Sequence, residues 1–195
     1  NSPAISTRPS LSSHNAQRTT HNSYPPGERI KPMFVHLLRH AEAEDVSPSG
    51  LDADRRLTAA GVKRMKAVAK AIKSLEPGYD LILISPLVRA RQTAEPVAEA
   101  LGYKKALAVT DALKPNADPE AILAELAKRS PKSVLVVGHQ PHMGSLFGRL
   151  LAGEAGLEVE MKKASLAAFE TGSDPSEGPA QLKFYLPPKV LEALG

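Results

Sequence analysis

The 195-residue sequence predicts an α/β protein, a three-layer α/β/α sandwich on a mostly parallel sheet, and three observations predict it. Short apolar runs at residues 33–38, 81–84 and 133–137 are hydrophobic on both faces, as strands covered by helices on both sides must be. Between them lie longer stretches with apolar residues at helical spacing, so strand and helix alternate along the chain. Each run also stops abruptly at polar positions: Arg39 and His40, then Ser85, then Gly138 and His139. Those positions belong to the carboxyl ends of strands, where open α/β sheets place their ligands.

The elements follow in order. After the strand at 33–38, a polar loop over 42–56 carries Pro48 and Gly50 as breakers. Thr58 reads as the N-cap of a helix to about Leu75, with Val62, Met65, Val68, Ala69 and Ile72 on its apolar face. The strand at 81–84 is broken by Ser85 and Pro86. Pro86 suits the first position of a helix, where its missing donor costs nothing, and that helix runs to Leu101, stopped by Gly102 and kinked or split at Pro96. A short strand near 107–109 follows. Asp118 and Pro119 start a helix to about Arg129, the strand at 133–137 ends at Gly138 and His139, and Pro141 opens a helix to about Leu151. Strands at 164–169 and 181–186, expected as antiparallel edges, and a short helix after Pro187 and Pro188 complete the chain.

Composition bounds what such a chain does. With 42% hydrophobic residues, it buries one core of ordinary size over residues 32–195. Residues 1–31, rich in Ser, Thr, Asn, Pro and His without any period, read as a flexible tail or leader segment. Cysteine is absent, which removes disulfides and thiol chemistry and fits a reducing, cytoplasmic setting. The formal charge is +4, but Arg8, Arg18, Arg29 and Lys31 against Glu28 place +3 of it in the tail. A near-neutral body with only 4% aromatic residues argues against a nucleic-acid partner. No apolar run is long enough for a membrane-crossing helix, so no membrane partner is expected.

In a parallel sheet the three polar strand ends share one edge, which brings Arg39, His40, Arg89 and His139 toward one pocket. Two arginines and two imidazoles suit phosphoryl transfer. Guanidinium forks match phosphate oxygens and stay charged at any working pH. A neutral imidazole attacks phosphorus while a second, protonated one stabilises the developing charge. The pair predicts a bell-shaped pH profile around reference values of about 6.5. Metal binding is the competing use of histidine, but His36 with His40, and His139 with His142, lack carboxylates at a ligand spacing. His36 and His142 read as structural, and no glycine-rich nucleotide loop is present.

Four segments carry a resemblance: Leu38-Arg39-His40-Ala41-Glu42-Ala43, Arg56-Leu57-Thr58-Ala59-Ala60-Gly61, Ser85-Pro86-Leu87-Val88-Arg89-Ala90-Arg91-Gln92-Thr93, and Val137-Gly138-His139-Gln140-Pro141. In this order and context they resemble the histidine phosphatase superfamily, with its phosphoglycerate mutase-like fold, and within it the SixA group of phosphohistidine phosphatases. The resemblance implies catalytic roles for Arg39, His40, Arg89 and His139. His40 would be the nucleophile that takes the phosphoryl group, and Arg39, Arg89 and His139 would bind the phosphate. Water would then hydrolyse the phosphohistidine intermediate, with no metal and no other cofactor. Ser85 reads as a cap rather than a ligand.

Two positions depart from the family pattern. Ala41 stands where the family has glycine, which demands an ordinary backbone conformation there or a slightly altered loop. Pro115, in Leu113-Lys114-Pro115, stands where mutases and ester phosphatases carry a glutamate general acid. An alkoxide leaving group needs that proton, a step worth about 10²–10⁴-fold; an imidazole leaving group does not. The expected substrate is therefore a phosphohistidine protein, docked in a pocket left shallow by short loops. Two alternatives stand beside it. One is a broad-specificity phosphatase of small phosphate esters or anhydrides, with Asp111, Asp118, Glu42 or Glu44 as acid. The other is a non-catalytic phosphate-binding module.

Overall fold

The computed structural model describes residues 31–75 and 77–195; the tail expected at residues 1–31 lies, but for Lys31, outside them. The first strand, β1 (Met33–Arg39), leads to a 3-10 turn at Asp52–Asp54, then α1 (Ala59–Ser74) and β2 (Leu81–Ile84). There follow α2 (Val88–Leu101), β3 (Ala108–Val109), a second 3-10 turn at Asp111–Leu113, and α3 (Pro119–Arg129). The chain closes with β4 (Ser133–Gly138), α4 (His142–Ala152), β5 (Leu166–Thr171), β6 (Gln181–Leu186) and α5 (Pro188–Leu194).

The six strands form one sheet in the order β3-β2-β4-β1-β5-β6. The first four are mutually parallel, and β5 runs antiparallel to both β1 and β6. The edges are thus β3 and β6, and β5 lies inside the sheet. Every residue of β4 is buried, because strands pair with it on both sides and helices cover both faces.

Alternation along the strands sorts the core into two layers. Leu38, Ile82, Ile84, Leu135 and Val137 pack with Met65, Val68 and Ile72 of α1, Val97 of α2 and Leu191 of α5. Val35, Leu37, Leu83, Val134 and Val136 face the other way, against Ile122, Leu123 and Leu126 of α3 and Met143, Leu146 and Leu150 of α4. Burying a Leu or Ile side chain contributes roughly 1.5–3 kcal/mol, so these two layers outweigh any single surface contact.

Local signals explain most boundaries. The Thr58 hydroxyl accepts the Gly61 N–H at 3.0 Å to cap α1, and the Asp118 carboxylate accepts the Glu120 N–H at 3.0 Å to cap α3. Gly102 and Gly153 end α2 and α4 in the left-handed conformation. Other positions differ from expectation. Helix α2 starts at Val88 rather than Pro86, because the Ser85 hydroxyl first accepts the Leu87 N–H at 3.4 Å in a turn. It also passes through Pro96 uninterrupted, packed by Ala94 and Val97 on either side. Val62, on the expected apolar face of α1, is 41% exposed, since the buried face is centred on Gly61, Met65, Val68 and Ile72 and Val62 lies at its rim.

Candidate active site

Three neighbouring strands deliver the site from one edge of the sheet. Beyond β1, the His40 N–H still bonds the Gly138 carbonyl at 3.0 Å, and beyond β2 the Ser85 N–H bonds the Val137 carbonyl at 3.0 Å. These last rungs hold the exits of β1 and β2 on either side of the exit of β4, so His40 and His139 emerge together. Their rings lie 4.9 Å apart, centroid to centroid, inclined at 51°. Arg89 enters from the first turn of α2 and is almost fully buried. Arg39 closes the set at the end of β1, half-buried, with its Nη1 donating to the Met161 carbonyl.

The electrostatics favour neutral imidazoles among fixed cations. Burial first, then the charges of Arg89, Arg39 and Lys163, push His40 down to about 4, and only its bond to the Ala41 backbone opposes them. His40 Nδ1 lies 2.7 Å from the Ala41 carbonyl. A carbonyl only accepts, so Nδ1 carries the proton and Nε2 holds the lone pair. His139 is pushed far down by burial, with His40 and Arg89 adding to the shift and Asp52 opposing it. Both His139 ring nitrogens, Arg39 Nε and Arg89 Nε are buried without a hydrogen-bond partner. Such atoms are costly unless something polar meets them, and the two guanidinium N–H groups with the one N–H of a neutral His139 ring suit an anion.

The loop after His40 is secured from beneath. The Ala41 N–H donates to Thr93 Oγ1 at 3.2 Å, and that hydroxyl donates onward to the Arg89 carbonyl at 2.8 Å. Thr93 thus ties the His40 loop to the helix that carries Arg89. Ala41 is absent from the described residues with positive φ, so the family's glycine is not needed for backbone reasons here. Gly61 is: a Cβ there would collide with the Glu42 carbonyl, which packs on the first turn of α1.

The carboxylates weighed as acids are engaged elsewhere. Glu42 pairs with Arg64, Glu44 accepts the Arg56 N–H at 3.1 Å, Asp111 pairs with Lys114 at 2.9 Å, and Asp118 caps α3. Pro115 lines an open groove of about 510 Å³ with Asp52, Leu87 and Asn116. Asp52 is the functional candidate that sequence reasoning missed. Its carbonyl and carboxylate accept from Arg89 Nη1 at 2.7 Å and Nη2 at 3.0 Å. Hydrogen bonding from Arg55, then the contacts of Arg89, hold its carboxyl below the usual range against the effect of burial. It lies in the polar loop with no periodic signal, and only its contact with Arg89 singles it out.

His36 and His142, read as structural, are both buried, and His142 lies near enough to His139 for its charge to push that ring further down. His36 packs edge-on against Tyr79 with ring centroids 5.1 Å apart. His142 begins α4 under the influence of Asp118. Among the described residues no three of His, Asp and Glu gather as a metal site, and no helix is long and apolar enough to cross a membrane.

A buried imidazole flanked by arginines at the carboxyl edge of a parallel sheet suits one class, the phosphoryl-handling α/β proteins. Comparison with known proteins narrows it. The sequence model of the histidine phosphatase superfamily (branch 1) matches residues 35–114. An uncharacterised protein of Picosynechococcus sp. is 37% identical over 145 residues, covering 72% of this chain and 87% of its own. Phosphohistidine phosphatase SixA of Escherichia coli (strain K12) is 33% identical over 125 residues, covering 63% and 76%. The structure of the protein histidine phosphatase SixA complexed with tungstate superposes with a TM-score of 0.72 at 26% identity, covering 80% of this chain and 98% of that one. The chain belongs to the histidine phosphatase superfamily, as a SixA-type member with the phosphoglycerate mutase-like fold. Phosphatase chemistry is therefore its class of activity.

Proposed function

We propose that the protein removes the phosphoryl group from a phosphohistidine side chain of another protein, through a covalent intermediate on His40. The observation that carries the reading is a neutral His40, its lone pair on Nε2, set among the unpartnered donors of Arg39, Arg89 and His139. In the first step Nε2 attacks phosphorus as the substrate's P–N bond breaks, and the departing imidazole takes a proton from solvent. Arg39, Arg89 and His139 bind the non-bridging oxygens, and the anion's charge offsets the burial that keeps His139 neutral in the free protein. The proton on Nδ1 stays with the Ala41 carbonyl and supports the positive charge of the phosphorylated ring. Water then attacks phosphorus and breaks the P–Nε2 bond, releasing inorganic phosphate.

The substrate class rests on the leaving group. The candidate acids are committed to other partners, Asp52 is held ionised between two arginines, and Pro115 has no proton to give. A phosphoramidate tolerates this, whereas an alkyl phosphate does not. The groove lined by Asp52, Leu87 and Pro115 reaches the site only through the contact of Asp52 with Arg89, and its open shape suits a partner presented on a protein surface. SixA of Escherichia coli, by its name a phosphohistidine phosphatase, supports the same assignment.

The test is phosphate release, with a chelator present, from a phosphohistidine protein and from a small phosphate ester, each with a His40→Ala control. Release from the phosphohistidine protein alone, lost in the control, is expected. Comparable release from the ester would overturn the acid-free reading, and turnover by His40→Ala would remove the nucleophile assignment.

A further inference from the structure

Arg89 reaches the site with its side chain only 5% exposed, yet its outer end is already occupied. Nη1 donates to the Asp52 carbonyl at 2.7 Å and Nη2 to Asp52 Oδ2 at 3.0 Å, while Nε, on the inner side, is buried without a partner. A guanidinium has five N–H groups in one rigid plane. Two contacts from a single residue to its two terminal nitrogens fix the rotation of that plane, which one contact does not. Asp52 is in turn held: Arg55 Nη1 donates to Oδ1 at 2.8 Å, and Arg55 Nε donates to the Glu44 carbonyl at 2.5 Å.

We propose that Asp52 is a positioning residue of the phosphate site, gripping the outer end of Arg89 so that its Nε–H side faces the phosphoryl oxygens. The assignment rests on the phosphatase reading above for its substrate but not for its geometry. A phosphoryl group in transfer spreads charge over its equatorial oxygens, and a donor misaimed there costs rate more than ground-state affinity. A residue that merely braced the loop would not act through Arg89.

A double-mutant cycle separates these cases. Turnover of a phosphohistidine protein and the Kd of inorganic phosphate are measured for wild type, Asp52→Ala, Asp52→Asn, Arg89→Ala and the Asp52→Ala/Arg89→Ala pair, with thermal melts on each. Asp52→Ala is expected to lower kcat about tenfold with a smaller effect on KM. Asp52→Asn, which keeps an acceptor oxygen, recovers part of the loss. In the Arg89→Ala background the further loss falls below about twofold. Equal losses in both backgrounds, or unchanged kcat in a folded Asp52→Ala protein, would overturn the proposal. Should the wild type release no phosphate from its substrate, the phosphatase reading fails, and the phosphate Kd values still decide for Asp52. A change on Asp52→Ala that differs between the two backgrounds supports positioning, and an identical change in both overturns it.

Discussion

At the scale of single residues, the bond from His40 Nδ1 to the Ala41 carbonyl selects one tautomer of a buried imidazole. Burial and neighbouring arginines then keep that ring neutral far into acid. The acid limb that free histidines would give at about 6.5 is therefore moved down for the uncomplexed protein. Since only neutral His40 attacks, the acid-side fall of kcat/KM is expected as His40 protonates near 4. A pH–rate profile with its acid limb at about 6.5 would mean a solvated, unperturbed ring. Arg89→Ala is expected to weaken inorganic phosphate binding by roughly 1.5–3 kcal/mol, the range of a hydrogen bond to a charged group, as read by calorimetry.

Elements meet the site through a few close contacts, and these explain motif residues with no chemistry of their own. Helix α1 begins directly under the Glu42 carbonyl, so Gly61 is where the loop after His40 rests on the helix. Gly61→Ala is expected to push that loop outward, costing about 1–3 kcal/mol of stability and lowering turnover together; urea unfolding and kinetics on the same variant check it. Helix α2 is tied to the same loop by Thr93. Thr93→Val leaves the buried Ala41 N–H without its acceptor, at a cost of about 1–3 kcal/mol, and turnover should fall because His40 and Arg89 lose their shared brace. A variant with wild-type stability and rate would show that the hydroxyl is dispensable. At the far side of α1, Arg64 pairs with both Glu42 and Glu192, so the C-terminal helix α5 also bears on the site loop.

For the whole molecule, buried imidazoles link stability to pH. His36, His40 and His142 are each pushed from 6.5 to about 4 by burial. Below the unfolded value the unfolded chain takes up protons that the folded chain refuses until about 4. The unfolded state therefore binds more protons in this window, and stability, full above about pH 6.5, is lost progressively as pH falls toward 4. Each histidine contributes up to about 1.4 kcal/mol per pH unit. His36→Phe, which keeps a ring against Tyr79 and Phe184, should flatten the slope by one proton's worth. Urea midpoints at several pH values between 4 and 7 measure it, and an unchanged slope would mean that His36 protonates freely in the fold.

The sequence by itself determined the alternation of strand and helix and singled out Arg39, His40, Arg89 and His139 as candidates, because both signals are local. Apolar runs ending in a polar pair need only neighbours along the chain to be read, and capping at Thr58 and Asp118 depends on residues two or three positions away. The tertiary structure decided the rest. Only the pairing of β1 with β4 and β5 put β5 inside the sheet, and only the turn at Ser85 moved the start of α2 to Val88. The same holds for Asp52, which reaches Arg89 across 37 positions of sequence, and for the ordinary conformation of Ala41 above Thr93. A hydrogen bond between distant segments leaves no periodicity and no spacing rule behind it, so its partners become legible only when the sheet brings them together.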